Sequence, residues 1–121
     1  MSIRTLPEIV AETKANLHCL TPEAAREMLE DEPNALVIDV REPGEVSEKR
    51  AAGTINLPRG ILEMKIPEYT TDPDTPIFLH CATGGRAAMA AETLQRMGFR
   101  QVSIIDCSCD EVMQALGAAT T

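Results

Sequence analysis

Four short apolar runs alternate with stretches of helical spacing, and that alternation leaves few folds open. The runs are Ala35 to Val40, Gly53 to Leu57, Pro76 to His80 and Gln101 to Ile105. A continuous apolar run bounded by turn residues reads as a strand covered on both faces, the habit of parallel sheets. Between the last two runs, Ala87, Ala90, Leu94 and Met97 fall on one helical face, and Gly98 stands where a C-cap belongs. Two helix starts precede the first of these strands. Thr5 with Glu8 resembles a capping box and opens a helix to about Ala15; Thr21 followed by Pro22 opens a second. Pro58 to Ile66 and Asp110 to Leu116 supply further short helices. Strands that alternate with helices build βαβ units, so an α/β domain with an open parallel sheet and helices on both faces is expected.

A chain of 121 residues fits one domain with a core of its own. Its formal net charge of −8 argues against a phosphate-backbone binder, and one Tyr, two Phe and no Trp leave little to stack on bases. No nucleic-acid partner is expected. No apolar run nears the ~20 residues that span a bilayer, and residues 1–8 lack the apolar stretch of a signal peptide. No membrane partner and a cytoplasmic location are therefore expected. The four cysteines, Cys19, Cys81, Cys107 and Cys109, read as thiols rather than as a disulfide framework. Cys-x-Cys alone is too common to mark a metal site, so neither a metal nor a cofactor is expected.

In open parallel sheets, ligands bind beyond the carboxyl ends of the strands. Those ends are Asp39 with Arg41, Cys81 with its loop, and Asp106 with Cys107. The Cys81 loop carries the most chemistry. Phe78-Leu79-His80 runs into Cys81-Ala82-Thr83-Gly84-Gly85-Arg86 and then into a helix. Such a turn points consecutive backbone N–H groups into one concavity at the positive end of the helix dipole. The dipole and Arg86 should both favour the Cys81 thiolate. Gly84 and Gly85 let the backbone curl without Cβ clashes. The competing reading is a buried, inert cysteine, but an inert cysteine needs neither the glycines nor the arginine.

At these residues the chain resembles the rhodanese family. Ile38-Asp39-Val40-Arg41-Glu42-Pro43-Gly44-Glu45 is similar to that family's Asp-Val-Arg-Glu segment. Ala52-Gly53-Thr54-Ile55-Asn56-Leu57-Pro58 is similar to its Pro-Gly-Ala-Ile-Asn-Ile-Pro stretch. His80-Cys81 through Arg86 matches its active-site loop, and Ala91 to Phe99 resembles the helix that follows. The likeness runs from about Leu20 to Leu116, which divides the chain into a helical extension, residues 1–17, and a rhodanese-like domain, residues 18–121. It implies an open, mostly parallel five-stranded sheet with helices on both faces. It also implies a double displacement. Cys81 takes sulfane sulfur from a small sulfur-containing anion or a persulfide donor, holds it as a persulfide, and yields it to a thiol acceptor, small molecule or protein. The N–H groups of Ala82, Thr83, Gly84, Gly85 and Arg86 would bind the anionic sulfur. Six residues from Cys81 to Arg86 resemble the sulfurtransferases. Phosphatases of the same fold have a loop one residue longer, which makes phosphatase the second enzyme reading. A binding or regulatory module that has lost turnover is the non-enzyme reading, although modules of that kind have often lost the cysteine that this chain keeps.

Three departures from the family pattern matter. Ala82 and Thr83 stand where several thiosulfate-using members carry a basic residue, so Arg86 is the loop's one cation. On an acidic chain, that points to a protein or low-molecular-weight persulfide as donor rather than thiosulfate. Arg50 replaces a His, with no functional account. Cys107-Ser108-Cys109 replaces two glycines and an apolar residue. Cys109 reads as a small core residue. Cys107 stands at the end of a strand that, by family topology, neighbours the one ending at His80. Neighbouring strands lie about 4.8 Å apart and disulfides want Cα atoms about 5.5–6 Å apart. Cys107 is therefore a candidate resolving or relay thiol for Cys81, against the reading of a neutral replacement.

Other residues read as structural. His80 alternates in direction with Cys81 and is expected to be packed rather than a base. Asp39 and Arg41 are expected to support the loop as a pair. Met28, Met89, Met97 and Met113 are expected in the core, Cys19 is expected to be buried, and Glu42, Glu45 and Glu48 are expected to form a solvated face. Residues 1–17 fit either a helix packed on the flank of the sheet or a dimerisation element.

Overall fold

The computed structural model describes residues 2–118. Six helices flank five strands: α1 Leu6–Lys14, β1 His18–Leu20, α2 Pro22–Glu30, β2 Leu36–Asp39, α3 Pro43–Glu48, β3 Ile55–Asn56, α4 Leu62–Lys65, β4 Ile77–His80, α5 Gly85–Arg96, β5 Val102–Ile105 and α6 Cys109–Leu116. The strands form one sheet in the order β1-β5-β4-β2-β3, and every pairing is parallel. The expected α/β class, parallel sheet and two helical layers are therefore present.

Local chemistry places the first helices. Thr5 Oγ1 accepts from the Glu8 amide, and Thr21 Oγ1 accepts from the Ala24 amide, each satisfying an orphan donor of the first turn. Strand alternation then divides the core. Ile38, Val40, Ile77, Leu79, Cys81, Val102 and Ile104 face α5, with Val10 of α1 packed beside them. Val37, Phe78 and Ile105 face α2 and α6 through Ala25 and Val112. The helix from residues 6–14 thus lies on the flank of the sheet, against α5.

Several expectations are corrected. β1, the fifth strand, carries no apolar run: it is three residues on the sheet edge, read only through its backbone pairing with Ser103, Ile104 and Ile105. Cys19 is exposed on that edge, not buried. Met28 and Met97 are 37% and 46% exposed, and Met89 and Met113 are half-buried. Helical spacing gives a residue its face, but not how far the sheet extends beneath it. Arg50 has a structural role, donating to the Thr54 carbonyl at 2.8 Å across the turn into β3. Among the described residues, no helix is long and apolar enough to cross a membrane.

Candidate active site

The sheet ends its central strand β4 at His80, and Cys81 follows at the carboxyl edge. Gly84 takes φ +93°, the left-handed conformation that glycine adopts without strain, and is the N-cap of α5. This turn brings the Gly84 amide to 3.0 Å from Cys81 Sγ and the Ala87 amide to 3.4 Å. The Ala87 N–H belongs to the first turn of α5, where no intrahelical acceptor exists, so the sulfur takes the place of one. Sγ thus sits on the positive end of the helix with two backbone donors aimed at it. Of the N–H groups expected to cradle sulfur, Gly84's donates to it; the second donor, Ala87, lies one residue beyond the expected loop. Its signal was available: the third N–H of any helix points back along the axis. Cys81 is 1% exposed.

Arg86 does not reach the sulfur with a hydrogen bond. Its guanidinium forks onto Glu45 of α3, Nη1 to Oε1 at 2.6 Å and Nη2 to Oε2 at 3.0 Å. The Arg86 bond holds the Glu45 carboxyl down at about 2, helped by the Glu42 amide. The same bond raises Arg86. Glu45 also closes the α3 capping box by accepting from the Glu42 amide at 2.9 Å. Glu45 is therefore not part of a merely solvated face.

Asp39 and Arg41 form a pair buried on the α6 side of the sheet. Arg41 Nη2 lies 2.7 Å from Asp39 Oδ2, Nε reaches both oxygens at 3.0 and 3.1 Å, and the Arg41 amide adds a bond at 3.0 Å. The remaining reach of Nη2 is to the carbonyl of Lys49, at 2.8 Å, which ends α3. The pair thus fixes the helix that carries Glu45. Asn56, at the end of β3, holds the same corner by donating to the Asp39 and Arg41 carbonyls at 3.0 and 2.9 Å. His80 lies on this face too, fully buried, with Nε2 3.7 Å from Asp39 Oδ2 and neither ring nitrogen hydrogen-bonded. Burial pushes His80 below its usual range. It is a packed residue facing away from α5, with no part as a base for Cys81.

The last strand delivers the other two thiols. Cys107 is half-buried and donates to Glu111 Oε2 at 2.9 Å, and that carboxylate raises the thiol above its usual range. Cys109 is buried, as expected of a core residue, and is raised by burial. A cleft of about 230 Å3 opens beside the loop, lined by Ala82, Glu45, Arg41, Lys49, Cys109 and Asp110 among others. A larger hollow of about 320 Å3 lies at the opposite, amino end of β4 and β5, between His18, Phe78 and Arg100, and includes no cysteine. Among the described residues, no group of three or more His, Cys, Asp or Glu side chains is arranged to hold a metal ion.

The rhodanese-like domain model matches residues 21–115, from the second helix to the last, with Cys81 and its loop inside it. The chain belongs to the rhodanese-like domain family. A proposed sulfur carrier protein of Bacillus subtilis, YrkF, is 26% identical over 92 residues, which is 76% of this chain and 49% of that protein. The chain thus spans about half the length of that relative. The solution structure of a polysulfide-sulfur transferase homodimer from Wolinella succinogenes superposes with a TM-score of 0.79 at 28% identity, over 93% of this chain and 85% of that one. A Rhodopseudomonas palustris protein of unknown function, suggested to be a tyrosine phosphatase, superposes at 0.78 with 26% identity, over 95% of this chain and 94% of that one. Sulfur transfer is the activity this rhodanese-like membership supports in general terms.

Proposed function

We propose that this rhodanese-like domain is a sulfurtransferase that carries sulfur as a persulfide on Cys81. The observation that carries the reading is the pair of backbone donors, from Gly84 and Ala87, aimed at Sγ from the start of α5. They stabilise negative charge on sulfur, in a thiolate and in a persulfide alike. The thiolate attacks the outer sulfur of a donor. The donor's S–S bond breaks, its electron pair leaves with the departing thiolate or sulfite, and Cys81 holds the sulfur. An acceptor thiolate then attacks that outer sulfur and frees Cys81. Because Cys81 is 1% exposed, the 82–85 backbone must give way for each exchange. The remaining N–H groups of Ala82, Thr83, Gly85 and Arg86 then serve the outer sulfur. Thiol persulfides are the donors on this reading, thiols the acceptors, and a reducing, cytoplasmic compartment the setting, consistent with four free cysteines. Asp39 and Arg41 support the loop through α3, and residues 1–17 form an extension to the domain 18–121.

Incubation with glutathione persulfide tests the reading. Intact-mass and peptide analysis should show one added sulfur on Cys81 and none in Cys81→Ser. A wild-type protein that gains no sulfur from any sulfane donor overturns it. The buried thiol favours one second reading, a regulatory module of the same fold, and that outcome would support it. Six residues from Cys81 to Arg86 count against a phosphatase.

A further inference from the structure

The loop's single cation is not available to an anion at the sulfur site. Arg86 spends its fork on Glu45 with two bonds, at 2.6 and 3.0 Å. A guanidinium matched in this way is close to neutral as a unit and has fewer N–H groups free. The other cations around the loop are matched likewise: Arg41 by Asp39 at 2.7 Å, Lys49 by Asp110 at 2.6 Å, and Lys14 by Asp106 at 2.8 Å. The neighbouring cleft sets the carboxylates of Glu45, Glu48 and Asp110 against Arg41 and Lys49. The whole chain carries −8. A dianion such as thiosulfate therefore meets backbone N–H groups and an arginine whose charge is already matched by Glu45, in an unfavourable field. A thiol persulfide brings at most one negative charge to the reacting sulfur and loses much less.

We infer that Glu45 is a specificity-determining residue: by holding Arg86 it withholds the loop's cation from Cys81 and so favours thiol persulfides over inorganic sulfane anions as donors. The inference rests on the sulfurtransferase reading above. In the thiosulfate reaction, the Cys81 thiolate takes the sulfane sulfur and sulfite departs with the electron pair of the broken S–S bond, so two negative charges must be held beside the loop throughout. In the persulfide reaction the departing group is a thiolate with one. Freeing Arg86 should thus help the first far more than the second.

Glu45→Gln is the informative variant: its amide oxygen can still accept from the Glu42 amide and keep the α3 cap, while Arg86 loses the opposing charge and the Nη2–Oε2 bond. The quantity read is kcat/KM for thiosulfate divided by that for glutathione persulfide. It should rise about tenfold in Glu45→Gln, the scale of one charge-assisted hydrogen bond, and the gain should vanish in Glu45→Gln/Arg86→Gln. An unchanged ratio, or a gain that survives loss of Arg86, overturns the inference. A measurement that leaves Glu45 in place stands beside it: in Cys81→Ser, which cannot take up sulfur, saturating thiosulfate should leave the Arg86 Nε–H signal in NMR unshifted, and a shift overturns the inference. Mass analysis of the wild-type preparation separates the two failures. Sulfur on Cys81 with an unchanged ratio sinks only the role of Glu45, whereas no sulfur on Cys81 sinks the sulfurtransferase reading as well.

Discussion

Lys14 of the N-terminal helix and Asp106 at the end of β5 meet at 2.8 Å directly against Gly84. A residue outside the region matched by the family model thus touches the turn that aims the Gly84 amide at sulfur. Val10 of the same helix lies beside Gly85, and Thr13 bonds Glu92 of α5 at 3.2 Å. The helix therefore braces the loop as well as covering the sheet.

Lys14→Met tests that brace. The pair is partly exposed, so its loss should lower stability by less than about 1 kcal/mol. Amide exchange at Gly84 and Gly85 should nevertheless quicken several-fold beyond what the global change accounts for. Exchange that follows global stability alone would leave the helix as a cover with no hold on the loop.

How much of this was readable in advance depended on sequence distance. Thr5, Thr21-Pro22 and the Cys81-to-Arg86 loop announce themselves because a cap or a tight turn is decided by neighbours. The buried runs of β2, β4 and β5 are legible because parallel strands need apolar residues on both faces. Glu45 with Arg86, Lys14 with Asp106 and the edge strand β1 were not legible. Each depends on contacts between remote segments, and a glutamate on a six-residue helix looks like any solvated carboxylate until the fold places an arginine opposite it. For Cys107, topology gives the strand end but not the partner: its bond to Glu111 depends on how α6 turns back after β5.

Gly84→Ala should damage both stability and transfer. The φ of +93° costs an L-residue about 1–2 kcal/mol, and the new Cβ would stand 2.4 Å from Asp106 Oδ1. Asp106 must swing away from Lys14, and the amide donor must shift from Sγ. The expected result is a lower urea midpoint together with slower loading of Cys81 with sulfur. Gly85→Ala is the contrast in stability. Gly85 is helical and its nearest neighbour would be 3.9 Å away, so its unfolding free energy should stay within about 0.5 kcal/mol of wild type.

Asp39→Ala should be the costliest single change at the site. It strips the buried Arg41 guanidinium of its partner, a loss on the order of 3–5 kcal/mol by urea unfolding. Replacing both members together, Asp39→Leu with Arg41→Met, should recover a large part of that loss, because no lone charge stays buried. A double variant no more stable than Asp39→Ala would mean that the bond from Arg41 to the Lys49 carbonyl matters more than charge.

A relay through Cys107 requires its thiol to leave Glu111. Glu111→Gln removes the carboxylate that raises the thiol, so Cys107 should be alkylated faster near pH 8 than in the wild type. If Cys107 serves Cys81, mild oxidation should also give more of a Cys81–Cys107 linked peptide in this variant. No linked peptide in either protein would retire the relay and leave Cys107 as a side chain that helps Glu111 close the start of α6.

His80 predicts how stability responds to mild acid. It is buried beside Asp39 and lowered chiefly by that burial, so the folded chain binds its proton less readily than the unfolded chain. Below the unfolded value of about 6.5, the unfolded state takes up a proton that the folded state refuses, and stability falls as pH drops. Above it both states are neutral and the contribution is flat. The Glu45–Arg86 pair acts lower, between the ordinary carboxyl value of 4.5 and about 2, where the unfolded chain takes up the proton that folded Glu45 refuses. The slope between pH 7 and 5 is therefore a property of His80. His80→Asn should flatten it in urea midpoints measured across that range, and an unaltered slope would assign the proton uptake to another group.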